Sequence, residues 1–192
     1  MGAKIITTGW YVPETILTND FFVNSPYNPY RIYYGEDKQG NPLFKSDRVC
    51  LTHEKILKNT GGIRERRQLA QNQTVLDMIE AAYQKTTFPP EDLEGIIVGT
   101  ISHDRRATFP SMANRVQQRL GASKVKYAND VVAACSGFTH ALDHAWLRVE
   151  KYGGYVLVIG VDALTRITDY TELNGNLFGD GCGLVILGHG ED

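Results

Sequence analysis

An α/β architecture, with a largely parallel sheet covered by helices on both faces, follows from three features of this sequence. Gly95–Ile101 (GIIVGTI) and Tyr155–Val161 (YVLVIGV) are short, nearly unbroken apolar runs, as strands buried on both faces require. Stretches of helical period lie between such runs, with Val75, Met78, Ile79, Ala82 and Tyr83 forming one apolar stripe. Turn residues separate the two kinds of segment: Pro89-Pro90, Gly121 and Gly153-Gly154.

Each element can be justified in turn. Lys4–Trp10 is β-rich and ends at Val12-Pro13, a first strand. Leu17–Phe22 offers Thr18, Asn19 and Asp20 as caps before a short helix. Asn24–Arg48, with three prolines, two glycines and mixed charge, has the chemistry of a long loop, and loops of that length are functional or inserted. Thr52 caps a helix to Asn59, which Gly61-Gly62 stops. The helix around Val75–Tyr83 ends at Pro89-Pro90. Ser111–Leu120 is a helix between Pro110 and Gly121, and Val125–Val132 a strand. Phe138, Ala141, Leu142, Ala145, Trp146 and Val149 make another helical stripe, closed by Gly153. Gly183–Leu187 is the last strand. Asp162–Gly179 shows no clean element.

With 192 residues the chain is one domain or a compact half of a larger one. Hydrophobic residues at 42% and charged residues at 22% exclude disorder. A net charge of −2 carries no general nucleic-acid signal. The thiols Cys50, Cys135 and Cys182 form neither an even disulfide framework nor a CxxC pair. The N-terminus lacks an apolar signal core, and no run approaches the ~20 apolar residues of a membrane span. The expectation is a soluble cytoplasmic protein without a nucleic-acid or membrane partner.

Cys135 is the candidate nucleophile. It lies in Ala133-Ala134-Cys135-Ser136-Gly137, between a strand and the start of an amphipathic helix. The partial positive charge and unpaired N–H groups of a helix N-terminus favour thiolate, the reactive form. Small neighbours admit a substrate carbonyl, and nearby N–H groups can hold an oxyanion. The competing reading is a buried structural cysteine, the commoner fate of a free thiol. None of the five histidines is an evident base; His140 and His144, at i and i+4, fall on the polar face of their helix. Leu177–Gly183 (LFGDGCG) precedes a strand, so it is neither a Walker loop nor a dinucleotide fingerprint and reads as a tight turn. Arg64/Arg66/Arg67 and Arg105/Arg106 are either solvated faces or sites for phosphate or an acidic partner.

Seven segments in order carry a resemblance. They are Val12-Pro13-Glu14 with Leu17-Thr18-Asn19, Gly62–Arg66 (GIRER), Gly95–Thr100, Phe109-Pro110-Ser111, Ala133–Phe138 (AACSGF), Val158–Asp162 and Phe178–Gly183 (FGDGCG). The set resembles the N-terminal half of the β-ketoacyl-acyl-carrier-protein synthase III family, within the thiolase-like superfamily. That resemblance implies half of a layered α/β/α/β/α fold spanning residues 1–192, with an insertion at about 24–48. It implies that Cys135 accepts an acyl group from acyl-CoA or an acyl carrier protein. The acyl-enzyme then condenses with malonyl-acyl carrier protein, with loss of CO₂, in fatty acid or polyketide synthesis. Phe109 matches a residue that reaches into the partner's acyl pocket in a homodimer. Arg166 matches an arginine near the CoA adenine, and Arg64 is a second candidate for contacting CoA or phosphopantetheine. Gly179, Asp180, Gly181 and Gly183 would form a structural glycine loop. No metal or cofactor is implied.

The sequence departs from the family where Ile56 and Thr60 replace an adenine-clamping Trp and Arg, which favours a carrier-protein donor. The family's His and Asn, which bind the malonyl thioester, belong to a second half expected beyond Asp192. Two alternatives stay open. One is an ester-forming, quinolone-forming or hydroxymethylglutaryl-CoA synthase-like relative using the same acyl-cysteine. The other is a non-catalytic homologue acting as a dimer partner.

Overall fold

A computed structural model of the chain describes residues 2–103 and 109–190. Its elements in chain order are β1 (Ala3–Tyr11), β2 (Thr15–Thr18), α1 (Asn19–Val23), β3 (Tyr30–Glu36), β4 (Pro42–Val49), α2 (His53–Asn59) and β5 (Glu65–Gln68). These are followed by α3 (Val75–Gln84), β6 (Leu93–Gly99), α4 (Met112–Leu120), β7 (Tyr127–Val131), α5 (Gly137–Tyr152), β8 (Tyr155–Ala163) and β9 (Asp180–His189). They fall into two compact units: Met1–Pro13 with Leu69–Ala163 and Gly181–Asp192, and Glu14–Gln68 with Leu164–Asp180.

The first unit is a mixed sheet of order β1-β9-β8-β6-β7. β6 runs parallel to β7 and β8, whereas β1 is antiparallel to β9. The two apolar runs are unbroken because both of their faces are covered. Ile96, Val98, Leu157 and Ile159 pack with α3 and α4, through Met78, Ile79, Met112 and Val116. Ile97, Val156 and Val158 point the other way, onto Ala141, Ala145 and Val149 of α5. α3 starts at a capping box: Asp77 N donates to Thr74 Oγ1 at 3.1 Å, and Thr74 N donates to Asp77 Oδ2 at 2.7 Å. Arg119 of α4 joins the two helices by ion pairs to Asp77 and Glu80.

The stripe expected on α5 is narrower than its apolar residues suggest. Its buried positions are Gly137, Ala141, Ala145 and Val149, spaced by four. Trp146 is exposed, and its Nε1 donates to Glu150 Oε1 at 3.0 Å. Small residues bring the helix close to the sheet, and the large indole is left on the rim. The expected strand Val125–Val132 is shorter, Tyr127–Val131.

In the second unit the long loop expected at Asn24–Arg48 contains a β-hairpin. β3 and β4 pair antiparallel from Tyr30↔Val49 to Glu36↔Pro42. A small core of Phe22, Tyr30, Leu51 and Ile56 lies in this unit, and Tyr30 Oη donates to the Phe22 carbonyl at 2.6 Å. A second antiparallel pair joins β2 to β5. Between Asp162 and Gly179 there are only single helical turns at Leu164–Arg166 and Leu173–Asn176.

Candidate active site

β7 ends at Val131, and α5 begins at Gly137, with five residues between them. The reversal between them is made by Ala134, whose φ is +44°, in the left-handed region that L-residues avoid. Ala134–Ser136 form one tight turn, closed by Ser136 N and Ser136 Oγ, which both donate to the Ala133 carbonyl at 3.0 and 2.8 Å. Cys135 sits at the centre of that turn, with its side chain exposed. Ser136 makes no side-chain cap, so the first N–H groups of the 16-residue α5 carry no cap from it.

The helix start is drawn onto the sheet by glycines. A Cβ on Gly99, the last residue of β6, would stand 2.6 Å from the Gly137 carbonyl carbon and 2.7 Å from Phe138 N. Gly160 pairs with Gly99 across β8, and a Cβ there would meet the Phe138 side chain at 3.0 Å.

Two carboxylates at strand ends fix the surrounding loops. Asp162 Oδ1, at the end of β8, accepts from Thr100 Oγ1, Ile101 N, Ser102 N and Ser102 Oγ, at 3.0, 2.9, 3.0 and 2.8 Å. Ser102 Oγ in turn accepts from Ala163 N at 2.7 Å. Asp130 on β7 accepts the Met112 and Ala113 N–H groups at 2.7 and 2.9 Å and lies 3.2 Å from His103 Nε2. It holds the N-terminus of α4, near Phe109, whose ring is 89% exposed. Asp130 was not marked by the sequence and Asp162 only as the end of the Val158–Asp162 segment, although an Asp at the end of an apolar strand is the available signal.

The structural-cysteine reading applies to a different thiol. Cys182 is buried on β9, and burial pushes it up to about 12, whereas Cys135 is exposed. Two histidines pair with carboxylates instead, His53 with Asp20 and His103 with Asp130. His140 and His144 lie on the exposed face of α5. Among the described residues no group of three or more His, Cys, Asp and Glu is placed to hold a metal.

The expected glycine loop is corrected. Asp180, Gly181 and Gly183 already belong to β9, and only Gly179 precedes it. A Cβ on Gly179 would meet Arg66 Cβ at 3.1 Å. Asp180 is buried and accepts from Thr165 N and Thr165 Oγ1 at 2.8 and 2.6 Å. Of the GIRER basic cluster, Arg66 is buried, donating from Nε to the Asn176 carbonyl at 2.7 Å, while Arg64 is exposed. Arg166 is exposed. Ile56 is fully buried, and Thr60 Oγ1 is spent on the Ile56 carbonyl at 2.7 Å, so both are structural. Arg105 and Arg106 lie outside the described residues.

Comparison with known proteins bears on this turn directly. The family model described as 3-oxoacyl-[acyl-carrier-protein] synthase III matches residues 129–192, a span that contains Cys135. The β-ketoacyl-[acyl-carrier-protein] synthase III of Geobacillus kaustophilus (strain HTA426) is 34% identical over 194 residues, covering 98% of this chain and 54% of that protein. Over nearly its whole length the chain is similar to ketosynthase III proteins. The solved 3-oxoacyl-[acyl-carrier-protein] synthase III of Aquifex aeolicus VF5 superposes with a TM-score of 0.78 at 33% identity, over 100% of this chain and 55% of that one. The priming β-ketosynthase of the R1128 polyketide biosynthetic pathway gives a TM-score of 0.80 at 25% identity, over 100% and 51%. The thiolase-like α/β fold expected from the ketosynthase III resemblance is the fold shared with these structures. The chain spans about half the length of the relatives it matches.

Proposed function

We propose that this chain is the nucleophile-bearing half of a ketosynthase III-type acyltransferase, with Cys135 as the acylated residue. The observation that carries the reading is the exposed Cys135 thiol on a strained turn at an uncapped helix N-terminus. The thiolate attacks the acyl thioester carbonyl, a new C–S bond forms, and the donor leaves as its own thiolate. Backbone N–H groups at the turn are the available donors for the oxyanion of that step. Loss of CO₂ from malonyl-acyl carrier protein then leaves a carbon nucleophile. It takes the acyl group from Cys135 and returns the thiolate. Donors for the malonyl thioester are assigned to a second half, in keeping with the resemblance.

The same reading places the protein in the cytoplasm and makes it a homodimer in fatty acid or polyketide synthesis. Phe109 serves the acyl pocket, and Arg64 and Arg166 serve the CoA or phosphopantetheine arm. No helix among the described residues is long and apolar enough to cross a membrane. The test is incubation with an acyl thioester followed by peptide mass spectrometry. The label is expected on Cys135; a label on Cys50 or Cys182 instead refutes the assignment.

A further inference from the structure

The hairpin in the second unit brings two arginines face to face. Arg31 of β3 and Arg48 of β4 are direct partners across the antiparallel ladder. Like charges in that position destabilise a hairpin unless something lies between them. Only Arg31 is answered: its Nη2 pairs with Asp169 Oδ2 at 2.9 Å and also donates to Thr171 Oγ1. Its Nε is buried without a hydrogen-bond partner. The Arg48 guanidinium has no ion pair or hydrogen bond among the described residues. With Asp169 subtracted, the cradle keeps one uncompensated positive charge.

Both arginines line a cavity of about 340 Å³ with Pro26, Tyr27, Asn28 and Thr171. The walls are fixed. Asn28 Nδ2 donates to the Val23 and Leu51 carbonyls at 2.9 and 3.1 Å, and its Oδ1 accepts from Leu51 N at 3.0 Å. Arg31 lies over the Phe44 ring, 4.1 Å from its centroid, and its backbone N donates to the Thr171 carbonyl at 3.0 Å. A pre-set guanidinium loses little freedom when it binds, and its fork matches the oxygens of a phosphate.

We infer that this cavity binds a phosphate group of an organic ligand between Arg31 and Arg48. Tyr27 and the prolines offer apolar surface to the organic part. The pocket stands independently of Cys135; taking its ligand to be the phosphate of a pantetheine-type acyl donor rests on the acyltransferase reading. That phosphate has two sources: the phosphorylated nucleoside end of a coenzyme, or the phosphopantetheine arm itself.

Titration calorimetry on the full chain tests the inference, with adenosine 3′,5′-bisphosphate, 4′-phosphopantetheine and their unphosphorylated parents as probes. At least one phosphorylated probe is expected to bind, while adenosine and pantetheine do not, and the tighter of the two identifies the source. Arg48→Ala should weaken binding about tenfold or more, Arg48→Glu should abolish it, and Arg48→Lys should keep part of it. Cys135→Ala should bind as the unaltered chain does, which separates this result from any failure of acylation. The inference is overturned if neither phosphorylated probe binds, or if Arg48→Ala binds as tightly as the unaltered chain.

Discussion

Gly99 and Gly137 meet backbone to backbone: a Cβ on Gly99 would lie 2.6 Å from the Gly137 carbonyl carbon. One is the last residue of a central strand and the other the first of the helix behind Cys135. No side-chain adjustment relieves that contact, because both partners are main chain. The position of the helix N-terminus under the thiol therefore depends on the absence of a methyl group.

Gly99→Ala should consequently destabilise the chain by about 1–3 kcal/mol, the cost of overpacking, and slow acylation of Cys135 as well. Gly160→Ala meets the Phe138 side chain at 3.0 Å, which can move, so its effect should be smaller. Urea unfolding of both variants checks the order. A Gly160→Ala variant less stable than Gly99→Ala would contradict it.

Ala134 is the second device at this turn. Its φ of +44° costs an L-residue about 1–2 kcal/mol, and a β-branched residue more. Ala134→Gly relieves that strain but adds unfolded-state entropy of about 0.5–1 kcal/mol, leaving stability unchanged or slightly raised. Ala134→Val should lower stability by more than about 1 kcal/mol. Thermal unfolding of the pair distinguishes a strained turn from a relaxed one, for which the valine would be tolerated.

Asp162 accepts four hydrogen bonds on one oxygen and so locks the loop after β6. Asp162→Ala leaves those donors without a partner and should cost about 3 kcal/mol, since each unsatisfied buried group costs about 1–3. Asp162→Asn retains an acceptor and should cost less. Hydrogen exchange at Ile101 and Ser102 should rise sharply in the alanine variant; unchanged protection there would show that the loop is held by other means.

These two devices also mark where the sequence stops being informative. The helix at Val75–Gln84 was legible from its stripe, because the period is local, whereas its Thr74–Asp77 capping box went unread. The strands β6 and β8 were legible because burial on both faces leaves an unbroken apolar run. The Asp162 lock joins residues about sixty positions apart, and the one local signal, an Asp closing an apolar run, does not name its partners. The hairpin was hidden for another reason. Its register shifts between Arg31 and Tyr33 and again between Tyr33 and Gly35, which breaks the alternation that identifies a strand. The place of Cys135 between a strand and a helix start was legible, but the left-handed Ala134 was not, since alanine gives no hint of positive φ.

Cys182 makes stability depend on pH. Burial pushes its thiol up to about 12, against roughly 8.5 in an unfolded chain. The folded form thus holds a proton that the unfolded form releases. The stabilisation is complete below about pH 8.5 and is lost as pH rises from there toward 12, by up to about 1.4 kcal/mol per unit. Cys182→Ala should remove that part of the slope while lowering stability at pH 7 through the small cavity it leaves. Urea midpoints between pH 7 and 10 for both proteins measure the difference; parallel curves would mean that the thiol titrates normally.

β7 closes one edge of the five-stranded sheet, since the order is β1-β9-β8-β6-β7. Tyr127–Val131 are all half-buried, and among the described residues no strand pairs with the outer side of β7. An open edge invites another strand, and identical strands pairing antiparallel about a twofold axis satisfy both rows with one patch. Phe109, 89% exposed, adds an apolar side chain that a monomer leaves in water. Burying a phenylalanine is worth about 1.5–3 kcal/mol, and a symmetric dimer buries two. A dimer through β7 is therefore expected at micromolar concentration, with slow amide exchange along Tyr127–Val131. Phe109→Asp should weaken it at least tenfold while leaving the fold intact, because an exposed side chain supports no core. Light scattering that shows a monomer, together with fast exchange along β7, would rule the dimer out.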